Sequence, residues 1–148
     1  MISNSRIVPT LPAVDLGRAK KFYHEKLGLK VTMEDPMGIM FESRNGFGLY
    51  LYKRGATRAD HTVASFDVED IVSEVGELRR EGIKFEEYDI PEMGLKTIDG
   101  IATYGGEEYS NKSAWFKDTE GNILALVSMV KVGGESGRKD HEAAGARR

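Results

Sequence analysis

Short runs of apolar and β-branched residues, separated by turns rich in Gly, Asn and Asp, cover most of the chain and indicate β-strands. Two stretches have the spacing of a helix face instead. The first begins after Asp15, which can cap it, and ends at Gly28; the second begins after Asp70 and ends at Gly82. The predicted strands are residues 7–13, 29–35, 39–43, 48–53, 62–68, 83–88, 113–117 and 122–130. The chain is therefore predicted to be α+β.

The order of strand, helix and three strands occurs twice, which predicts an internal duplication. The two capping aspartates are 55 residues apart, and the two glycines that end the helices are 54 residues apart. Gly46 and Gly121, in the turns of the two predicted hairpins, are 75 residues apart. The larger separation indicates an insertion in the second copy, before its hairpin.

We predict one domain, residues 1–131, that consists of two βαβββ modules, residues 6–53 and 61–131. The insertion at 89–112 is rich in Gly and acidic residues and is predicted to be a loop. Such a loop either covers a binding site as a lid or is simply solvated. Residues 132–148 contain mostly Gly, Ala and charged residues without periodicity, and we predict that they are disordered.

Composition excludes several classes of function. The net charge is −3 with both signs interspersed, so the sequence has no basic surface for nucleic acid. The absence of cysteine excludes disulfides, thiolate metal sites and a cysteine nucleophile. No apolar run is long enough to span a membrane, and residues 1–6 lack the apolar core of a signal peptide. We therefore expect a cytoplasmic protein without nucleic-acid or membrane partners.

Two motifs resemble a known superfamily. Residues 13–29 read AVDLGRAKKFYHEKLGL and resemble the opening of vicinal-oxygen-chelate proteins, which has an aspartate, an aromatic pair and Leu-Gly-Leu. Residues 118–122 resemble the Asp-Pro-Asp-Gly-Asn turn of that superfamily, with Thr119 in place of the proline. Its members include glyoxalase I, extradiol dioxygenases, fosfomycin resistance enzymes and bleomycin resistance proteins. The resemblance implies two βαβββ modules whose curved mixed sheet surrounds a cup.

The resemblance also implies four ligands for a divalent metal ion, on the first and fourth strands of each module. In this sequence the corresponding positions are Val8, Tyr50, Val63 and Ala125. Valine and alanine have no donor atom, and a single tyrosine is a poor metal anchor. We therefore expect no metal ion and no other cofactor. His61 is an alternative ligand if the strand register is shifted, or it is a solvent-exposed residue at the start of a strand.

Strand alternation predicts which side chains face the cup, if the four positions above face inward. The predicted ligand-binding residues are Thr10, Met40, Glu42, Tyr50, Tyr52, Val63, Ser65 and Trp115. Apolar walls with a few polar groups are typical of small-molecule sites. Alternatively, these side chains fill a closed cup or form a subunit contact.

Three functions are compatible with the sequence. The first is metal-independent binding of a small, partly aromatic or cationic ligand against Trp115 and Tyr50, to sequester a toxic compound or an antibiotic. The second is an enzyme, such as a lyase, dioxygenase or isomerase. It either binds a metal through His61 and carboxylates such as Glu42, or uses Glu42 or a carboxylate of the possible lid as a general base without a metal; no catalytic residue is assigned. The third is an interaction module, since the resemblance implies a homodimer.

Overall fold

The structure, a computed structural model, describes residues 1–105 and 107–131. The segment 132–148, which we predict to be disordered, lies outside the described residues. The strands are β1 (Thr10–Ala13), β2 (Lys30–Asp35), β3 (Gly38–Glu42), β4 (Gly48–Lys53), β5 (Thr62–Asp67), β6 (Asp89–Ile90), β7 (Leu95–Ile98), β8 (Ile101–Gly105), β9 (Tyr109–Lys117) and β10 (Ile123–Lys131). The helices are α1 (Leu16–Lys20), the π-helix Lys21–Lys26 that continues it, α2 (Ile71–Arg80), and the 3₁₀ helices Ile2–Asn4 and Pro91–Met93. These elements confirm the predicted α+β class.

The chain divides into two compact units. The first consists of Met1–Ala64 and Lys117–Ile123, and the second consists of residues 65–116 and the chain from residue 124 onward. Residues 117–123 therefore belong to the first unit, although they lie within the predicted second module.

The first unit contains a four-stranded sheet with the order β1-β4-β3-β2, in which β1 is parallel to β4. The helical segment between β1 and β2 completes the predicted βαβββ order. One face of the sheet is apolar and buried, with Leu11, Ile39, Phe41 and Leu51 each at most 1% exposed. The ring of Tyr23, from the π-helix, packs on this face with its centroid 5.3 Å from that of Phe41.

The helix ends follow the sequence prediction in both copies. Asp15 accepts a hydrogen bond of 3.0 Å from the backbone N–H three residues later, and Asp70 accepts one of 3.1 Å in the same way. Gly28 and Gly82 have φ angles of 74° and 87°, the left-handed conformation that ends a helix.

The second sheet has the order β5-β10-β9-β8-β7-β6 and differs from the prediction in two ways. The predicted strand at 83–88 is wrong, because only Phe85 forms a bridge there, an isolated one to Phe116. The predicted loop at 89–112 is also wrong, because it contains β6, β7, β8 and the start of β9. Gly94 and Gly100, which suggested a loop, have φ angles of 63° and 81° and occupy turns beside β7. Strands this short have too few residues to show a clear alternation.

The turn between β9 and β10 is organised by the buried carboxylate of Asp118, which is 7% exposed. Its Oδ1 accepts hydrogen bonds from the backbone N–H groups of Glu120 and Asn122, both at 2.8 Å. Its Oδ2 accepts from the Tyr23 hydroxyl at 2.6 Å and from Asn122 Nδ2 at 2.7 Å. Asn122 Nδ2 also donates to the carbonyl of Pro12 in β1, at 2.9 Å. This network fixes the turn against the helix and β1 of the first unit.

The turn between β3 and β4 has the same backbone geometry, which supports the internal duplication. Ser43 N–H donates to the Phe47 carbonyl at 2.7 Å, and Asp118 N–H donates to the Asn122 carbonyl at 2.9 Å. These residue pairs are 75 positions apart in the sequence. Ser43 makes its side-chain hydrogen bonds inside its own turn, to Asn45 and Phe47.

Glu120, in the same turn, binds the start of α1. Its Oε1 accepts from Asp15 N–H at 2.8 Å, and its Oε2 accepts from Arg18 Nε at 2.8 Å and from Thr119 Oγ1 at 2.7 Å. Burial is the largest influence on the pKa of Glu120 and raises it, but these hydrogen bonds and the Arg18 charge together outweigh burial, so the pKa is lowered. The pKa of Arg18 is raised by the same contact.

Replacing Asp118 by alanine should destabilise the protein by about 3 kcal/mol, because several buried donors lose their acceptor at once. The free energy of unfolding from urea titration measures this loss. Ser43→Ala, the equivalent change in the other turn, is the matched control and should cost less than about 1 kcal/mol. Equal losses in the two variants would contradict the role of the Asp118 network.

Replacing Glu120 by glutamine should remove a pH-dependent contribution to stability. Since the folded state lowers the pKa of Glu120, its contribution is present at neutral pH and is lost as the pH falls below about 4. The difference in unfolding free energy between wild type and Glu120→Gln should therefore shrink as the pH is lowered. Urea titrations between about pH 7 and about pH 3 measure it, with the exposed Glu25→Gln as a charge control. A constant difference would count against this assignment.

Candidate functional site

Five of the predicted ligand-binding residues share one face of the first sheet, the face opposite the buried core. Thr10 of β1 is the register partner of Tyr50 of β4, which is the register partner of Met40 of β3. Tyr52 and Glu42 lie on the same face, two positions further along β4 and β3. We call this surface, formed by Thr10, Met40, Glu42, Tyr50 and Tyr52, the open face. Thr10 is exposed and the other four are half-buried, while their sequence neighbours Leu49, Leu51 and Phe41 are buried.

Tyr50 lies across the open face and covers Gly38. A Cβ atom at Gly38 would be only 2.1 Å from the Tyr50 hydroxyl and 2.6 Å from the carbonyl oxygen of Leu51. The phenol end of Tyr50 therefore occupies the space that any other residue at position 38 would need. The missing side chain at Gly38 allows the ring to lie on the sheet.

Glu42 is paired with Arg6, which the sequence prediction did not include. Arg6 Nη1 lies 2.9 Å from Glu42 Oε1, and Arg6 Nη2 lies 3.0 Å from the position of a Cβ at Gly48. Gly48 is the register partner of Glu42 and leaves a gap that the guanidinium partly fills. The sequence contains Gly48 at the position opposite Glu42. This glycine does not reveal that the partner of Glu42 is Arg6, which lies 36 residues earlier in the chain.

A second arginine contacts the open face beside Tyr52. Arg54 Nη1 lies 3.5 Å from the Tyr52 hydroxyl, a long hydrogen bond, and Arg54 N–H donates to the carbonyl of Ala13 at 2.9 Å. The strand that carries both tyrosines, β4, therefore has an arginine near each of its ends.

The remaining predicted residues lie on β5 and β9. Val63 is half-buried and Ser65 is exposed, both on β5. Trp115 of β9 is half-buried, and its ring meets that of Tyr88 edge-to-face with centroids 5.5 Å apart. The pKa of Tyr88 is raised, first by burial and then by the negative charge of Glu86. The second unit thus has an aromatic pair of its own.

The residues present do not fit the divalent metal that the superfamily resemblance implies. Of the four positions, only Tyr50 has a donor atom in its side chain, and Ala125 is 2% exposed. Among the described residues, His, Cys, Asp and Glu side chains form no group of three or more that could hold a metal ion. His61 is exposed, and its Nδ1 lies 3.8 Å from Asp60 Oδ1. No chemical step is therefore assigned to a metal ion.

Two grooves are lined by residues other than the five that define the open face. One, of about 700 Å³, is in the first unit and is lined by Val14, Asp15, Leu16, Gly17, Arg18, Asp35, Pro36 and Lys53. Two of its charged groups are already engaged, because Arg18 binds Glu120 and Asp35 accepts hydrogen bonds from two backbone N–H groups of its own turn. The other, of about 160 Å³, is in the second unit beside the start of α2, where Asp70 caps the helix. Neither groove is lined by a predicted ligand-binding residue.

The sequence profile of the Glyoxalase/Bleomycin resistance protein/Dioxygenase superfamily matches residues 6–126. The chain belongs to this superfamily. The resemblance deduced from the two motifs is thereby confirmed, as is the α+β fold of the glyoxalase type. Among curated proteins, no sequence matches this chain significantly.

Solved structures of the superfamily have the same fold. A glyoxalase family protein from Enterococcus faecalis is similar with a TM-score of 0.62 and 21% identity, over 86% of this chain and 99% of that chain. A lactoylglutathione lyase from Agrobacterium tumefaciens has a TM-score of 0.57 and 16% identity, over 84% and 92%. A fosfomycin resistance protein from Listeria monocytogenes has a TM-score of 0.58 and 12% identity, over 83% and 89%. At these identities the similarity establishes the fold alone.

None of the helices in the described part of the chain has the length and apolar character needed to cross a membrane.

Replacing Gly38 by alanine should destabilise the protein by about 1–3 kcal/mol, because the new methyl group would collide with Tyr50 and with the Leu51 carbonyl. Chemical denaturation measures the loss. Combining the change with Tyr50→Ala should recover part of it, since only the backbone collision then remains.

The control is Gly55→Ala, because a Cβ at Gly55 would meet no atom within 4 Å. Its effect should stay within about 0.5 kcal/mol. A Gly38→Ala variant as stable as wild type would show that Tyr50 does not lie on Gly38.

Proposed function

We propose that this protein binds a small, partly aromatic molecule on the open face and needs no metal ion to do so. The observation that carries the proposal is the row formed by Thr10, Tyr50 and Met40 across three neighbouring strands. A tyrosine ring, a thioether and a hydroxyl give an apolar surface with polar groups at its margin, as small-molecule sites have.

Metal independence is supported by the side chains at the four positions where the superfamily resemblance implies metal ligands. Tyr50 stands at one of them, and there its ring covers Gly38. The other three positions carry valine or alanine, which cannot bind a metal ion. In this proposal an aromatic surface at Tyr50 replaces the metal as the feature that holds the ligand.

Val63 and Ser65 of β5 and Trp115 of β9 remain proposed ligand contacts. The aromatic pair of Trp115 and Tyr88 supports the choice of an aromatic ligand, because Tyr and Trp provide large apolar surfaces with a polar atom.

We further propose that binding serves to sequester a toxic compound or an antibiotic. The superfamily name includes bleomycin resistance proteins, and one structure of similar fold is a fosfomycin resistance protein. Sequestration requires affinity but no catalytic group, which agrees with a face that carries two tyrosines and one ion pair. A homodimer in the cytoplasm completes the proposal; the absence of cysteine from the whole chain is compatible with a reducing compartment.

A thermal-shift screen of aromatic metabolites and antibiotics should identify compounds that raise the melting temperature. A ligand at one hundred times its Kd stabilises the native state by about 2.7 kcal/mol, a shift of roughly 5–10 °C. Tyr50→Ala should abolish the shift, because it removes the ring from the centre of the open face. A chelator should leave the shift unchanged, and elemental analysis should find no stoichiometric transition metal.

Tyr104→Ala, the same substitution on β8 of the second unit, is the control and should retain the shift. Ligand binding that survives Tyr50→Ala would sink the assignment to the open face. Stoichiometric zinc, nickel, manganese or iron would instead support the enzyme hypothesis.

A further inference from the structure

The charges around the open face are unequal, and this imbalance bears on the kind of ligand. At one end Glu42 is 2.9 Å from Arg6, and Lys30 is the register partner of Glu42 on β2. Cross-strand partners project to the same face of a sheet. One carboxylate is therefore flanked by two cations at this end.

The other end of the face carries a further cation and a carboxylate that is engaged in a turn. Arg54 reaches the Tyr52 hydroxyl at 3.5 Å. Asp35 is the register partner of Gly38 on this face, and its Oδ1 accepts hydrogen bonds from Met37 N–H at 2.8 Å and Gly38 N–H at 3.0 Å. The open face is therefore surrounded by three cations and two carboxylates. Each of the two carboxylates already accepts hydrogen bonds from other groups of the protein.

The middle of the face is aromatic and polarisable. Tyr50 and Tyr52 are half-buried, and Met33 of β2 is the register partner of Met40. Thioethers and phenol rings both pack well against the faces of other aromatic rings. A molecule that matches the whole surface has a flat apolar body and a negative group at one end.

We infer that the open face selects a small aromatic molecule that carries an oxyanion, such as a carboxylate, and that Arg6 binds this group. A guanidinium presents two parallel N–H groups that fit the two oxygens of a carboxylate. Glu42 holds Arg6 in place, and Gly48 leaves room for it beside Tyr50. The inference rests on the proposed function and replaces the cationic ligand, which the sequence left open as an alternative against Trp115 and Tyr50, by an anionic one.

Three naphthalene probes that share one ring system and carry a negative, a neutral or a positive substituent test this selection: naphthalene-2-carboxylate, naphthalene-2-carboxamide and 2-naphthylmethylammonium. Isothermal titration or quenching of protein fluorescence gives a Kd for each. The carboxylate should bind about tenfold more tightly than the amide, and the ammonium most weakly. Added salt should weaken binding of the carboxylate and leave that of the amide nearly unchanged.

Substitutions on the ion pair should have opposite effects. Arg6→Ala should weaken carboxylate binding about tenfold, and Arg6→Lys should restore only part of it, since lysine lacks the planar fork. Glu42→Gln should strengthen carboxylate binding, because it removes the negative charge beside Arg6. A purely structural role of the pair would make both substitutions weaken binding. Lys21→Ala, an exposed change on the π-helix, removes one positive charge elsewhere and should leave the Kd unchanged.

Preference for the ammonium probe would overturn this inference and leave the proposed function intact. Failure of all three probes would also overturn it, whereas the proposed function is judged separately by the library screen with Tyr50→Ala. A dimer that Tyr50→Ala dissociates in sedimentation experiments would show that the face is a subunit contact, and both would then fail.

Discussion

The first unit depends on the hydrogen bonds that the buried carboxylate of Asp118 accepts. It joins the turn between β9 and β10 to the helical segment through Tyr23 and, through Asn122, to β1. Pro12 of β1 has no N–H to offer to a neighbouring strand, but its carbonyl finds a donor in Asn122. The Asp118–Asn122 turn therefore has a structural role here: it holds together parts of the chain that are about a hundred residues apart.

The predictable parts of the fold were those set by local chemistry. Asp15 and Asp70 as helix caps, and Gly28 and Gly82 as helix ends, follow from backbone rules that act within a few residues. Strand alternation also placed Tyr50 and its neighbours on one face. Pairings between distant residues were not predictable. The Arg6–Glu42 contact depends on the register of three strands and on the missing side chain at Gly48.

Two glycines give the open face its character, and neither does so through an unusual backbone angle. Gly38 lets the Tyr50 ring lie on the sheet, and Gly48 gives space to the Arg6 guanidinium. At either position, a larger residue would project its side chain from the sheet and fill this space. The chemistry of the face is therefore decided as much by which side chains are absent as by which are present. The long segment 89–112, in contrast, serves to extend the second sheet.

The π-helix Lys21–Lys26 accounts for a difference in length between the two helical stretches. The stretch from Asp15 to Gly28 is one residue longer than the stretch from Asp70 to Gly82. A π-turn accommodates one more residue than an α-turn, and the hydrogen bond from Leu27 N–H to the carbonyl five residues earlier has this wider span. The wider turn thus takes up the extra residue while Asp15 still caps the helical stretch and Gly28 still ends it, and this π-helix carries Tyr23, which binds the hairpin turn through Asp118.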